Sequence, residues 1–118
     1  MLNSVNIMGR LVRDPEVRRI GDKSDIPVCS FAIAVDRDFR DRDTGDREAD
    51  FFDCVAWRKD AEFLQKYFKQ GDDVIIKGRL QVRRWTDHDE NRRRAVEIAV
   101  DELYFGGSKR RDKDKKEN

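Results

Sequence analysis

Lys77, Arg79, Gln81, Arg83 and Trp85 occupy every second position of one segment. On a β-strand such positions share a face, and Ile76, Gly78, Leu80 and Val82 share the other. The second face is apolar and suits a core; the first is cationic and ends on an indole. Cations neutralise phosphates and a flat apolar ring accepts a stacked base, so the basic face suits a single-stranded nucleic acid. The plainer alternative is a solvated strand whose cations keep it soluble and whose Trp85 caps a core. Against that, a tryptophan beside Arg83, Arg84 and the polar turn Thr86 to Asn91 has little core to enter. Beyond the turn, Arg92, Arg93 and Arg94 add a cationic block next to Trp85.

Other aromatics extend this pattern. Phe39 stands alone in DRDFRDRD, where no local core awaits a large apolar side chain, which points to contact with something else. Phe51 and Trp57 share one strand parity, and Phe52 and Cys54 share the opposite one. Parity leaves two readings of Phe51 and Trp57 open: both face a ligand, or both fill a core. Tyr67 and Phe63 fall on a helical segment and are read as packing residues.

Catalysis finds no support. The one histidine, His88, lies among acids in the polar turn, and no nucleophile, base and orienting group can be assembled around it. The sequence has no G-x-x-x-x-G-K-[ST], no G-x-G-x-x-G and no H-E-x-x-H. The acidic run Asp36 to Asp50 does not fit a calcium loop, because Asp41 and Asp43 precede Gly45 and Asp46 in the wrong order and arginines interrupt it. No catalytic residue, metal or cofactor is expected. Cys29 and Cys54 are far apart within apolar runs, form no C-x-x-C pair, and read as small buried hydrophobes.

These residues need a scaffold, and 118 residues with 43% charged and 37% hydrophobic side chains have room for one small core. No run approaches the roughly 18 apolar residues of a membrane span, and MLNSVNIMGRLV lacks the layout of a secretory signal, so a soluble intracellular protein is expected. The formal net charge of +1 conceals an asymmetry. Ser108 to Asn118 holds six of the 26 basic and three of the 25 acidic side chains, leaving 20 against 22 in residues 1–107. Polyanion binding by the body would therefore depend on local placement, since distant charges are screened beyond about 10 Å at 0.1 M salt.

The apolar segments are mostly short, β-branched and bounded by turn formers, which predicts strands. A first strand runs from Val5 to Val12, is interrupted at Asp14-Pro15 and resumes from Val17 to Ile20. A second follows from Pro27 to Val35, with Phe31, Ile33 and Val35 on a bulky face and Ser30, Ala32 and Ala34 on a small one. The Asp36 to Asp50 stretch reads as a long polar loop turning at Thr44-Gly45. A third strand covers Phe51 to Trp57. Trp57, Ala61, Leu64 and Phe68 then fall at helical spacing, with Gly71 as a stop signal. Asp73 to Trp85 is the fourth strand, buried on both sides at Val74-Ile75-Ile76 and with Gly78 marking a bend, bulge or close approach. The fifth runs from about Arg93 to Phe105, with Val96, Ile98 and Val100 on one face.

Five strands with one helix between the third and fourth is the element order of an OB-fold, an all-β five-stranded Greek-key barrel. Small sandwiches and SH3-like barrels have similar strand counts. The expected domain covers residues 1–107, with 108–118 as a disordered basic tail.

Three segments narrow the choice: NIMGRLVRDPEVR, FAIAVDRDFRDRDTGDREADFFDCVAWRKDAEF and YFKQGDDVIIKGRLQVRRWTD. With the last strand, they resemble, in order over about residues 1–105, the bacterial-type single-stranded DNA-binding protein family. The resemblance implies an OB-fold, a homotetramer wrapped by single-stranded DNA, no enzymatic activity, and a cytoplasmic, nucleoid-associated location. Such proteins serve replication, recombination, repair or DNA uptake. The family's stacking aromatics correspond to Phe39, Phe51, Trp57 and Trp85, two of them phenylalanine where many members have tryptophan. Its groove cations correspond to Arg10, Arg37, Arg58, Lys59, Arg79, Arg83 and Arg84, to which the basic strand face adds Lys77. Phe52 stands where some members have a histidine at the subunit contact.

Typical members end in a long linker and an acidic, hydrophobic tip that recruits replication and repair enzymes, whereas this sequence stops at KRRDKDKKEN. The expectation is a short tailless form or a shortened piece of a longer chain, with those partners possible but the recruiting tip absent. The alternative function is an OB-fold adaptor acting mainly through protein contacts, its basic tail docking an acidic partner.

Overall fold

The computed structural model describes residues 1–107, and the expected basic tail lies outside them. The elements are β1 (Val5–Leu11), β2 (Val17–Ile20), β3 (Ile26–Arg40), β4 (Arg47–Trp57), α1 (Lys59–Tyr67), β5 (Asp73–Thr86) and β6 (Arg92–Phe105). β1 pairs with β5, β5 with β6, β6 with β4, β4 with β3, and β3 again with β1, so the pairings return to their start and close a five-stranded barrel. Among the described residues, only β4 and β6 run parallel, through Cys54 opposite Ile98 and Val55 opposite Ala99.

β1 and β2 behave as one interrupted strand. β1 meets β3 at Arg10 and Leu11, and β2 pairs with the same strand farther along, from Val17 opposite Cys29 to Ile20 opposite Ile26. The break falls at Asp14-Pro15, where proline has no N–H to give a ladder. The Asp14 side chain instead accepts a hydrogen bond from the Gln70 N–H at 2.7 Å, tying the break to the segment after α1.

Alternation places the core. Cys29, Phe31 and Ile33 of β3 and Cys54 and Ala56 of β4 point inward, where Leu11, Val74, Ile76 and Ile98 meet them. Burial pushes the Cys29 thiol up to about 11 and the Cys54 thiol up to about 12. Both stay protonated at neutral pH.

The helix closes one end of this core with Ala61 and Leu64, followed by Phe68, all buried. Full burial of a leucine such as Leu64 contributes about 1.5–3 kcal/mol. Asp60 and Glu62 in the first turn and Lys66 in the last suit the helix dipole. Past the helix, Gly71 takes φ 88°, a left-handed conformation that glycine adopts without a Cβ penalty. There its N–H donates to the Leu11 carbonyl, while the Leu11 N–H donates to Asp72. Trp57 belongs to the expected helical spacing but ends β4 instead.

Three expectations need correction. The Asp36 to Asp50 stretch is mostly strand: β3 runs on to Arg40 and β4 begins at Arg47. Cross-strand ion pairs hold this polar extension, and the turn is confined to a few residues in which the Asp41 carboxylate accepts the Asp43 and Thr44 N–H groups at 2.7 and 3.2 Å. Leu80 and Val82 keep the predicted parity but are exposed, as is Val96 opposite Val82, because the β5–β6 hairpin continues past the end of the barrel. Ile75 is also exposed, so the start of β5 is buried on one face only.

Gly78 marks both a bulge and a close approach. The register shifts there, Lys77 facing Glu102 and Gly78 facing Val100, and a Cβ at Gly78 would collide with the Ala99 carbonyl oxygen.

Candidate nucleic-acid interface

The register fixes what lies on the outside of the barrel. On β3 and β4, Ala34 faces Phe51, Ala32 faces Asp53, Ser30 faces Val55 and Val28 faces Trp57. Val55 then neighbours Ala99 of β6. On β6 and β5, Ala99 faces Arg79, Glu97 faces Gln81, Ala95 faces Arg83 and Arg93 faces Trp85. The small residues of β3 and β6 keep this outer face low between the aromatic and charged side chains.

Trp57 is therefore outside the barrel. It is half-buried against a small separate cluster of Val28, Val55, Ala99 and Ile26. It lines a groove of about 860 Å³ with Arg13, Arg18, Asp53, Arg83 and Glu97. Phe51 is 68% exposed on the same face, with Arg10 across Ala34 from it. Of the two readings left open by parity, the outward one describes both rings.

At the far end of the β5–β6 hairpin, a second concavity of about 470 Å³ is lined by Arg84, Trp85, Thr86, Arg92, Arg93 and Arg94. Trp85 is 40% exposed, and the Arg83 guanidinium lies over its ring at 4.4 Å. Such a cation–π contact contributes about 0.5–1 kcal/mol at an exposed site. The turn is ordered by Asp87, whose carboxylate accepts the Asp89 and Asn91 N–H groups and pairs with Arg93 at 2.8 Å. Arg93 and the Asn91 N–H hold the Asp87 carboxyl below the usual carboxylate range.

The remaining expected site residues are spread around these two concavities. Phe39 is 84% exposed on the β3 extension, near Arg37. Arg58 links β4 to α1 at φ 59°, a conformation costly for a residue with a side chain, and Lys59 begins the helix. Lys77 and Arg79 share the face of Arg83 but do not line the groove, lying toward β1 and Asp101.

Most of these cations are already paired. Arg10 meets Asp36 at 3.0 Å, Arg37 meets Glu48 and Asp50 at 3.1 and 3.0 Å, Lys77 meets Glu102 at 3.5 Å, Arg79 meets Asp101 at 2.7 Å and Arg83 meets Glu97 at 3.5 Å. The Arg10 and Arg37 guanidinium groups hold the Asp36 and Asp50 carboxyls below their ordinary range through hydrogen bonds. Among the described residues, Arg58, Lys59 and Arg84 have no such partner. Sequence reasoning assigned no role to Arg13, Arg18, Asp53 or Glu97, all groove residues. Alternation could have found Arg18, which faces Val28 on the Trp57 side. Nothing local marks Glu97 as the partner of a cation on the neighbouring strand.

A closed five-stranded barrel with a capping helix, an aromatic-lined outer groove and a long cationic hairpin defines an OB-type ligand-binding domain. Its sequence matches the Single-strand binding protein family over residues 2–106, and the chain belongs to that family. It is 41% identical to a single-stranded DNA-binding protein of Oceanobacillus iheyensis over 105 residues, covering 89% of this chain and 63% of the relative. Similarity extends to single-stranded DNA-binding protein 2 of Listeria monocytogenes, 37% identical over 89% of this chain and 64% of that protein. Single-stranded DNA-binding protein 1 of Lactococcus lactis is 40% identical over 86% of this chain and 65% of its own length. The chain thus spans under two thirds of these relatives. Among the described residues, no helix is long and apolar enough to cross a membrane.

Proposed function

We propose that this protein binds single-stranded DNA without sequence preference and without catalysis, holding and protecting the strand during replication, recombination, repair or uptake. The observation that carries this reading is the outer face itself, where Trp57 and Arg83 share one groove and Trp85 is set among arginines at the hairpin end. Stacking on an exposed ring is tolerant of base identity, because every base has a π-face, and contributes about 1–3 kcal/mol per base. Family membership and the names of the relatives support the same ligand.

A homotetramer in the cytoplasm, at the nucleoid, completes the proposal. Its support in this chain is an apolar row, Met8 opposite Ile75 opposite Tyr104, exposed across β1, β5 and β6. In addition, β1 meets β3 only at Arg10 and Leu11, leaving Val5 to Met8 with a pairing edge that a second copy would cover.

The test is a titration of dT oligonucleotides followed by tryptophan fluorescence, with light scattering before and after. Quenching on saturation, weaker binding of duplex and a fourfold mass are expected. Unchanged fluorescence or equal affinity for duplex overturns the DNA reading, and a monomer mass at micromolar concentration overturns the tetramer.

A further inference from the structure

The ion pair between Arg83 and Glu97 differs from the others in its surroundings. The Glu97 side chain is only 12% exposed, against 44–61% for the carboxylates facing Arg37, and it sits in the groove floor beside Trp57, Asp53 and Arg83. The Gln81 side-chain amide donates to one Glu97 oxygen at 2.9 Å, and Arg83 approaches the other at 3.5 Å. Arg83 in turn covers the Trp85 ring at 4.4 Å. Glu97, Arg83 and Trp85 thus form one relay linking the groove floor to the hairpin ring.

We propose that Glu97 is a positioning residue that holds Arg83 across one face of Trp85 in the free protein, so that a strand must displace Arg83 before that face of the ring and that cation are available. This rests on the reading of the outer face as a single-stranded DNA site. The physical argument is one of exchange. If Arg83 stays with Glu97, it contacts no phosphate. If it moves to a phosphate, it leaves a largely buried carboxylate that must take up a cation from solution. Either way, one fewer ion is released overall than the arginine count indicates, and the site contributes less affinity than a free arginine would.

Glu97→Gln tests this, because the amide oxygen still accepts from Gln81 while the charge that holds Arg83 is gone. The expected result is tighter dT binding, by roughly two- to fivefold, and a log–log salt slope steeper by about 0.7, the value for one more neutralised phosphate on a single strand. In an Arg83→Gln background the same substitution is expected to change neither, which a purely structural role for Glu97 would not produce. Unchanged or weaker binding by the folded Glu97→Gln protein overturns the proposal, as does an effect that persists without Arg83.

A measurement without DNA separates this inference from the DNA reading. With Trp57→Phe leaving Trp85 as the only indole, Glu97→Gln should raise the accessibility of Trp85 to acrylamide. Equal quenching of the two proteins overturns the positioning role whatever the titration shows.

Discussion

Replacing Trp85 by alanine removes a ring that packs on Arg83 and faces Arg93 but touches no part of the buried core. Binding to dT should weaken by about 1–3 kcal/mol with little change in melting temperature. Trp57→Ala should lower both, because that ring also covers Val28, Val55 and Ala99. Parallel titration and thermal melts of the two variants check the distinction, and equal stability losses would contradict it. The difference between these tryptophans was only half legible in the sequence. Parity put Trp57 opposite Cys54, but parity assigns sides without saying which side is inside. Its separate outer cluster depends on Ala99, a residue 42 positions away that only the parallel β4–β6 pairing brings alongside.

At the scale of elements, the hairpin of β5 and β6 depends on the bulge at Gly78, and the sequence marked that position because glycine inside a strand needs a reason. Gly78→Val would drive a branched side chain into the Ala99 carbonyl. Overpacking of this kind costs about 1–3 kcal/mol, to be read from the urea midpoint. Since the collision is with the strand that carries Glu97 and Arg93, the loss should come with altered Trp85 fluorescence. Element order and the helix were legible because each has a local signature: β-branched alternation for strands, spaced apolar residues and a stop glycine for α1. The strand extensions at Asp36 to Arg40 and Arg47 to Asp50 were not. They have no apolar alternation to announce them, and they persist through ion pairs such as Arg37 with Glu48 and Asp50 between strands.

For the whole molecule, near-neutral composition is reproduced locally at most of the expected groove cations. Arg10, Arg37, Lys77, Arg79 and Arg83 face carboxylates in the fold, some more than 20 residues away, as with Arg10 and Asp36 or Arg79 and Asp101, while Arg58, Lys59 and Arg84 do not among the described residues. A sequence shows the charges but not these long-range partners. The salt dependence of oligonucleotide binding should therefore be shallower than a count of nearby arginines indicates at about 0.7 per neutralised phosphate. Affinities measured between 50 and 500 mM salt check this, and a slope matching the full arginine count would contradict it.

The barrel closes through two narrow seams, Arg10 and Leu11 against Ala34 and Ile33, and Cys54 and Val55 against Ile98 and Ala99. Each seam joins segments distant in the chain, and the second needs β6, the last of the described strands to be synthesised. Loop-closure entropy must be met before either seam rewards it, which makes assembly of such a topology slow relative to helical domains. The six elements before β6 cannot complete the core while they are being synthesised. The first seam needs nothing beyond Ala34, but the second needs Ile98 and Ala99, so a nascent chain ending before Ile98 would hold its strands without a closed barrel to keep them.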